Sequence, residues 1–396
     1  MSMGKVKKYL SVVVVLAIVA LAVTGCGGTT GGAKTTNITI GIGAPLTDGA
    51  VALGKGMVRG TNLAVTQANA SQEVKDLGIV IKTVEGDDKG DPTTGGNVAT
   101  QFASNPSLVG VMGHLNSGVT RVAVKIYNVA NIVQVSPANT AVDLTQMGMT
   151  NYFRVCTIDS VQGPAGADYA FKVAAKKKAY VVDDSTVYGV GLADEWAKQF
   201  IADGGAVAGR EKTGDKDTDF KALVSKIKAA GVDIVYYGGI YNSGALLSKQ
   251  MKEGGVAVPL MGGDGIYDPE FIKLAGAANA EGDLCTSVGL PVDKAPGGAK
   301  FITDFKAAYP GEAPAAYDAY SYDAANVIIK AIIEVAKSVG ADKVATTDGK
   351  KAIIAAVAKT NFEGVTGKVE FDKNGDTTNK AITVYQVKAG VWVPAQ

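Results

Sequence analysis

The sequence predicts an α/β protein with two lobes, each built on a doubly wound parallel sheet. Short runs rich in Val and Ile alternate with segments of helical period, which is typical of right-handed strand–helix–strand units. This alternation occurs in two successive series, so two lobes are expected rather than one. A chain of 396 residues with 47% hydrophobic residues is large enough to bury two cores.

The predicted strands are short and mostly apolar, as expected for strands buried on both faces of a parallel sheet. The first series supplies four strands and the second supplies three. They occupy residues 38–45, 78–85, 107–113, 131–137, 178–184, 233–239 and 258–264. Helices between them are marked by apolar residues at helical spacing, for example Phe220, Leu223, Val224 and Ile227.

The N-terminus has the features of an export signal. Three lysines precede an apolar run, Tyr9 to Val23, that is too short to span a bilayer comfortably. The tetrapeptide that ends at Cys26 resembles the lipobox of bacterial lipoproteins, in which a lipid is attached to the cysteine. An ordinary signal peptide with a chance cysteine is the alternative.

We therefore expect residues 1–25 to be a lipoprotein signal peptide and residues 26–37 to be a flexible linker that tethers the protein through Cys26. The protein would face the periplasm or the cell exterior. The formal net charge of the chain is only +1, which disfavours nucleic acid or an anionic lipid surface as a partner.

Small polar residues follow the strands at 107–113 and 131–137, where an open α/β sheet binds its ligands. Ser117 suits a helix N-cap, and Thr140 with Asp143 resembles a capping box. Because the two turns belong to sequential strands, two hydroxyls beside two helix N-termini could together hold one carboxylate. The alternative is a pair of capped helices with no ligand.

Six segments of the chain carry a family resemblance. They are GHLNSGVT, VSPANT, VYGVGLADEW, DFKALVSKIKAAGVDIVYYGG, MGGDG and AYDAYSYDAANVI. In this order they resemble the periplasmic leucine/isoleucine/valine-binding proteins, the branched-chain amino-acid receptors of ABC transporters. The resemblance extends from Ile38 to about Val393. The resemblance implies the type 1 periplasmic binding protein fold, in which two Rossmann-like lobes joined by three hinge crossings close on an amino acid.

The resemblance also implies lobe boundaries and a set of ligand-binding residues. The N-terminal lobe would comprise residues 38–155 plus 287–366, and the C-terminal lobe residues 156–286 plus 367–396. The implied ligand-binding residues are Leu53, Ser117, Ala138, Asn139, Thr140, Tyr188, Ile240, Tyr241 and Asp264.

Each end of the amino acid has its own residues in this implied set. The hydroxyls of Ser117 and Thr140 would bind the α-carboxylate. The carbonyl of Ala138 and the carboxylate of Asp264 would receive the α-ammonium. Tyr188 would close over the ligand from the second lobe.

The chain departs from the relatives at several positions around this site. Asp264 stands where they have glutamate, and Ile240 stands where they have tyrosine. Leu53, which would face the ligand side chain, replaces an aromatic residue, and Asn116 replaces a disulfide-bonded cysteine. We expect a small aliphatic or branched-chain amino acid as the ligand, with another small carboxylate or an amide as the alternative.

Catalysis and metal binding are disfavoured. The sequence contains no G-x-S-x-G motif whose nucleophile His114, the only histidine, could activate as a base. We therefore interpret His114 as a structural residue under the pocket. No cofactor is expected, and the cysteines and the histidine lack the spacing of a zinc site. Residues 371–376 resemble a calcium loop only weakly, and a hairpin turn between VEF and AITVYQV is favoured.

Cys156 and Cys285 would lie on the first two hinge crossings, which run side by side in the family. One interpretation is a disulfide, which the oxidising compartment of an exported protein permits. The other is a pair of small buried side chains.

These observations predict a monomeric, lipid-anchored solute-binding protein that delivers an amino acid to an ABC permease. The two lobes would close on the ligand, and the permease would recognise the closed form. A ligand-sensing receptor for a signalling partner is a competing interpretation. An enzyme on the same fold is another, but the missing base and nucleophile disfavour it.

Overall fold

Two parallel sheets organise residues 35–395, the part of the chain that the computed structural model describes. The predicted signal peptide, Cys26 and most of the predicted linker lie outside these residues. The first strand begins at Thr36, so Thr36 and Asn37, the last two residues of the predicted linker, belong to a sheet.

The first lobe contains a five-stranded parallel sheet. Its strands are β1 (Thr36–Ala44), β2 (Ile79–Asp87), β3 (Leu108–Gly113), β4 (Val133–Ser136) and β5 (Tyr152–Arg154). They are arranged in the order β2-β1-β3-β4-β5. The side chains of Ile38, Ile40 and Ile42 along β1 are fully buried, as expected for a strand covered by helices on both faces.

The second lobe repeats this arrangement. Its parallel strands are β6 (Lys178–Asp183), β7 (Ala206–Lys212), β8 (Ile234–Gly238), β9 (Leu260–Gly262) and β10 (Leu284–Val288). The order β7-β6-β8-β9-β10 is that of the first lobe. The hairpin of β11 (Asn361–Gly364) and β12 (Gly367–Glu370) belongs to neither of the two large sheets. Beyond β10, the antiparallel strands β13 (Ile382–Lys388) and β14 (Val391–Pro394) extend the second sheet.

Helices connect the strands and cover the sheets. The first lobe has α1 (Val51–Ala70), α2 (Gln72–Asp76), α3 (Pro92–Ala103) and α4 (Ser117–Val129). Between β5 and β10 lie α5 (Asp159–Asp168), α6 (Val187–Ala202), α7 (Lys221–Ala230), α8 (Tyr241–Glu253), α9 (Pro269–Ala275) and α10 (Ala277–Ala280). After β10 come α11 (Gly298–Ala308), α12 (Asp318–Val339) and α13 (Thr347–Val357). No helix within residues 35–395 is long and apolar enough to cross a membrane.

The chain passes between the lobes three times. The first crossing follows β5, the second follows β10, and the third precedes β13, because α12 returns to pack on α1, β3 and β4. The prediction of two α/β lobes joined by three crossings is confirmed. The lobe boundaries drawn from the sequence remain a prediction.

Arg154 ties two of these crossings together. Its side chain is fully buried at the end of β5. The guanidinium donates to the carboxylate of Asp376, on the third crossing, at 2.6 Å. It also donates to the carbonyls of Asn139 and Ala141, at 2.9 and 2.7 Å. The start of the first crossing is therefore fixed both to the third crossing and to the turn after β4.

The predicted strands are present, with ends shifted by at most two residues, but one predicted pairing is wrong. No hairpin joins the segments VEF and AITVYQV, because the chain crosses between the lobes there. β12 pairs with β11, whereas β13 pairs with β10 and β14. The intervening residues form a tight turn closed by a bridge between Phe371 and Thr377.

Candidate ligand-binding site

A narrow cavity lies between the lobes, beside turns that follow the carboxyl ends of strands in both sheets. This is where open α/β sheets bind their ligands. It is lined by Leu53, Leu115, Asn116, Ser117, Ala138, Tyr188, Ile240, Asp264, Gly265 and Tyr317. Its free volume is about 20 Å³, enough for a water molecule but not for an amino acid. The lobes or the lining side chains must therefore move apart to admit a larger ligand.

The first-lobe side of the cleft has two hydroxyl groups without hydrogen-bond partners. Ser117 is the first residue of α4, and its buried Oγ is unpaired. Thr140 follows β4, and its Oγ1 is likewise buried and unpaired, but Thr140 is not among the residues that line the cavity. The predicted side-chain caps are wrong, because Asn116 is the N-cap of α4 and Asp143 instead binds Arg121 at 2.6 Å. Both hydroxyls can therefore donate to a ligand.

The turn after β4 is held in place by buried polar contacts. The backbone amides of Ala138 and Asn139 donate to Ser136 Oγ at 3.2 and 3.0 Å. The side-chain amide of Asn139 donates to the carbonyl of Leu115 at 2.6 Å, and its oxygen accepts from the hydroxyl of Thr120 at 2.6 Å. Asn139 thus joins the two first-lobe turns rather than lining the cavity, whereas Ala138 lines it.

Asp264 faces these turns from the second lobe. It begins a short 3-10 helix after β9 and is only 2% exposed. Its Oδ1 accepts from the side-chain amide of Gln162 at 2.9 Å and from the hydroxyl of Tyr188 at 3.0 Å. Its Oδ2 accepts from the hydroxyl of Tyr317. Burial raises the pKa of Asp264, and the three hydrogen bonds oppose that rise.

The other predicted residues lie where the lobes meet. Leu53 on α1 and Ile240, which precedes α8, line the cavity from opposite lobes. Tyr241 does not line it, but its phenol oxygen accepts from the backbone amide of Ala52 at 3.2 Å. Further contacts across the cleft include Tyr317 with Asp264 and, at 2.8 Å, Lys216 with Asp48. The structure is therefore that of a closed clamp.

Sequence reasoning missed three residues that help to build this site. Leu115 and Tyr317 lie within two of the segments that carry the family resemblance, so the signal was present but no role was assigned to them. Gln162 lies on α5, which no motif marks. Its contribution depends on where the first crossing places that helix.

His114 precedes Leu115 and is fully buried. Its Nδ1 lies 2.6 Å from the carboxylate of Asp88, and its Nε2 lies 2.9 Å from the hydroxyl of Tyr127. Both ring nitrogens are therefore engaged within the first lobe. Within residues 35–395, no group of three or more His, Cys, Asp or Glu side chains could hold a metal ion.

Cys156 and Cys285 are both buried and free in the structure. This arrangement corresponds to the interpretation as two small buried side chains and not to a disulfide. Burial raises the pKa of both thiols, which makes them poor nucleophiles.

The sequence profile that describes periplasmic binding proteins matches residues 37–391. The chain belongs to the periplasmic binding protein family. Leu/Ile/Val-binding protein homolog 1 of Brucella melitensis is 33% identical over 360 residues, which cover 91% of this chain and 93% of the relative. The family predicted from the six sequence segments is therefore confirmed.

Solved structures of similar proteins have the same fold. The leucine-binding protein LivK of Thermotoga maritima is 29% identical and has a TM-score of 0.81, covering 91% of this chain and 98% of the other. The branched-chain amino-acid transporter protein LivJ of Streptococcus pneumoniae, solved with isoleucine, is 26% identical, with a TM-score of 0.80 and coverages of 91% and 100%. The type 1 periplasmic binding protein fold is confirmed, whereas the roles of individual site residues remain predictions.

Proposed function

We propose that the chain is the extracytoplasmic solute-binding component of an ABC importer, and that it binds a small aliphatic or branched-chain amino acid between its lobes. One observation carries this proposal. The first lobe has two buried, unpaired hydroxyls, that of Ser117 in the lining of the cavity and that of Thr140 on the neighbouring turn, and the buried carboxyl of Asp264 lines the cavity from the second lobe. These groups complement the two ends of a zwitterion.

The first-lobe groups suit the α-carboxylate. Two hydroxyls donate there, and the N-terminus of α4 adds unpaired backbone amides of the kind that bind anions. Leaving a buried hydroxyl unpaired costs about 1–3 kcal/mol. A carboxylate that accepts from both Ser117 and Thr140 removes that cost.

The second-lobe group favours a ligand that also carries a positive charge. None of the residues that line the cavity is Lys, Arg or His. A lone carboxylate would therefore face Asp264 in a desolvated cleft with no compensating charge, which is unfavourable. An amino acid supplies an ammonium group for Asp264 and for the carbonyl of Ala138. For this reason we favour an amino acid over a 2-oxo acid or an aromatic acid.

The side-chain end of the site is apolar. Leu53, Leu115 and Ile240 line the cavity, and no charged residue other than Asp264 does so. This lining suits an aliphatic side chain. The leucine-binding and isoleucine-bound relatives support the same class of ligand.

Transport would follow from closure of the clamp. The ligand docks on the first lobe, the second lobe rotates onto it, and the permease recognises the closed form. Export and lipid anchoring at Cys26 belong to this proposal. Release of a Cys26→Ala variant from the membrane fraction would support the anchor, and equal retention of both proteins would contradict it.

Calorimetry of the purified chain tests the proposed ligand class. Leucine, isoleucine, valine and alanine would be compared with their 2-oxo acids and with benzoate. We expect amino acids to bind most tightly, and an amino acid at about a hundred times its Kd should add about 2.7 kcal/mol to the free energy of unfolding. Tighter binding of the acids without nitrogen would show that the amino-acid assignment is wrong.

A further inference from the structure

Asp159 is a buried carboxyl group to which the site described above assigns no role. It is the first residue of α5, on the first crossing, and is 1% exposed. Neither of its oxygens has a hydrogen-bond partner. Every other buried aspartate within residues 35–395 accepts at least one hydrogen bond. Asp159 is therefore the exception among the buried acids of the described chain.

No cation compensates this carboxyl group. Burial raises the pKa of Asp159 to about 8, and the nearby Asp264 adds to the rise. The hydroxyl of Thr140 lies beside it and lowers the pKa, but the two groups do not reach hydrogen-bonding geometry. Arg154 also lowers the pKa, yet its guanidinium is already bonded to Asp376 and to backbone carbonyls. A buried carboxyl without a counter-charge is costly unless a ligand supplies one.

Asp159 adjoins both ends of the proposed ligand site. Its backbone amide donates to the carbonyl of Thr140 at 2.8 Å. Gln162, three residues further along α5, donates to Asp264 and has a buried, unpaired Oε1. Residues three apart share one face of a helix. The carboxyl of Asp159 and the unpaired oxygen of Gln162 therefore belong to the face of α5 that adjoins Asp264.

The surface around Asp159 is acidic as well. Asp159 lines a second interlobe cavity of about 460 Å³, whose charged lining residues are Arg121, Asp143, Asp159, Asp194 and Glu195. Asp143 pairs with Arg121 at 2.6 Å and Asp194 pairs with Arg210 at 2.5 Å. Among the acidic residues of this wall, Asp159 and Glu195 therefore have no cationic partner among the other lining residues.

We propose that Asp159 is a second carboxylate receptor for the ammonium group of the ligand, so that Asp159, Asp264 and the carbonyl of Ala138 together accept its three N–H donors. An ammonium group has three donors and no acceptor, and the buried, unpaired side-chain atoms of α5 are all acceptors. The inference rests on the proposed function. Beyond that function, the inference is that two carboxylates share the ammonium group. The oxygens of Asp264 already accept three hydrogen bonds, which leaves them less free to accept from the ligand.

The test is calorimetry of the Asp159→Asn variant of the whole chain. The probes are leucine, 4-methyl-2-oxopentanoate, which lacks the nitrogen, and 3-methylbutylamine, which lacks the carboxylate. We expect leucine affinity to fall by at least about 30-fold, as for other buried charge pairs. The oxo acid should change by less than about threefold, because it makes no contact with Asp159. Any measurable affinity for the amine should fall with that for leucine.

The matched control is Asp194→Asn, which removes the same charge from the wall of the same cavity. Its carboxylate is exposed and pairs with Arg210, so we expect leucine affinity to change by less than about threefold. If wild type binds leucine and Asp159→Asn binds it equally well, this inference is wrong and the proposed function stands. If wild type binds the oxo acid and no amino acid, the proposed function fails as well.

A measurement on wild type keeps the inference testable if Asp159→Asn fails to fold. At pH 7 the carboxyl of Asp159 holds a proton in the ligand-free protein, because its pKa is about 8. Binding of an ammonium group should displace that proton. Calorimetry in buffers of different ionisation enthalpy should therefore detect proton release when leucine binds. Binding without proton release would overturn the inference.

Discussion

The two lobes have the same strand order and opposite chemistry at their strand ends. In the first lobe, the turns after β3 and β4 present neutral donors, the unpaired hydroxyls of Ser117 and Thr140. In the second lobe, the turn after β9 and helix α5 present carboxyl groups, Asp264 and Asp159. The shared topology determines where a ligand is held. In the proposed function, the difference between the lobes determines which end of the ligand each one holds.

The two second-lobe carboxyl groups, Asp264 and Asp159, differ in the hydrogen bonds that they accept. Asp264 accepts hydrogen bonds from Gln162, Tyr188 and Tyr317, so its position is set by both lobes. Asp159 is equally buried but accepts none. The first is a group positioned by the protein, and the second is a group whose partner must come from elsewhere.

Removing the charge of Asp264 should have the largest effect on ligand binding. An Asp264→Asn variant keeps the size of the side chain but leaves the ligand's ammonium group without its counter-charge. We expect a loss of about 2–5 kcal/mol, or roughly 30- to several-thousand-fold in leucine affinity, measured by calorimetry. Binding of 4-methyl-2-oxopentanoate should be kept or should tighten, because its carboxylate no longer faces an uncompensated buried carboxylate. Unchanged leucine affinity would contradict the assignment of opposite charges to the two lobes.

Removing the first-lobe hydroxyls should weaken acids with and without nitrogen alike. In Ser117→Ala and Thr140→Val, we expect each change to cost about 1.5–3 kcal/mol, because each removes a hydrogen bond to a charged group. Leucine and 4-methyl-2-oxopentanoate should lose affinity by the same factor. Ser225→Ala, which removes an exposed hydroxyl on α7, is the control and should bind both ligands normally. A selective loss of leucine would reverse the proposed orientation of the ligand.

The uncompensated carboxyl group should make the ligand-free protein less stable as pH rises. The pKa of Asp159 is about 8 in the folded chain, against about 3.9 when unfolded, so the folded state binds the extra proton between pH 4 and 8. Stability therefore falls by about 1.4 kcal/mol per pH unit in the middle of this window. Asp283, whose pKa burial raises to about 7, adds to the same trend.

Chemical unfolding at pH 5 and pH 7 isolates the part due to Asp159. The free energy of unfolding of Asp159→Asn should not include the part of the decline that Asp159 causes. Between pH 5 and pH 7, the stability of the variant relative to wild type should therefore rise by about 2–3 kcal/mol. The charged groups that act on Asp159 are Asp264, Arg154 and Glu195, and all three are kept in both proteins. Parallel stability curves would show that Asp159 does not titrate in this range.

The surface pair across the cleft should have the smallest effect. Lys216 and Asp48 are exposed and lie on different lobes, so their bond stabilises only the closed form. We expect Lys216→Ala to lower leucine affinity by less than about fivefold, with the difference disappearing at about 1 M salt. A double variant that also carries Asp48→Ala should be no worse than the single one. A large, salt-independent loss would indicate that Lys216 has another role.

Local sequence patterns predicted the elements that are buried on both faces and missed the exceptions. β7 was missed because its residues alternate between exposed and half-buried positions at the edge of the sheet, and β5 because it has only three residues. The strand-end turns identified Ser117 and Thr140, since strand order alone brings them together. Gln162 and Asp159 were missed because their part in the site depends on where the first crossing places α5, which no local pattern encodes.

The buried guanidinium of Arg154 has a consequence for ligand entry. It anchors the carbonyls of Asn139 and Ala141, on either side of Thr140, to the place where the first and third crossings meet. In the proposed opening of the clamp, this turn would therefore keep its shape while the second lobe swings away. A carboxylate that docks on the open protein as proposed would meet a turn that folding has already ordered, so binding would not have to supply the entropic cost of ordering it.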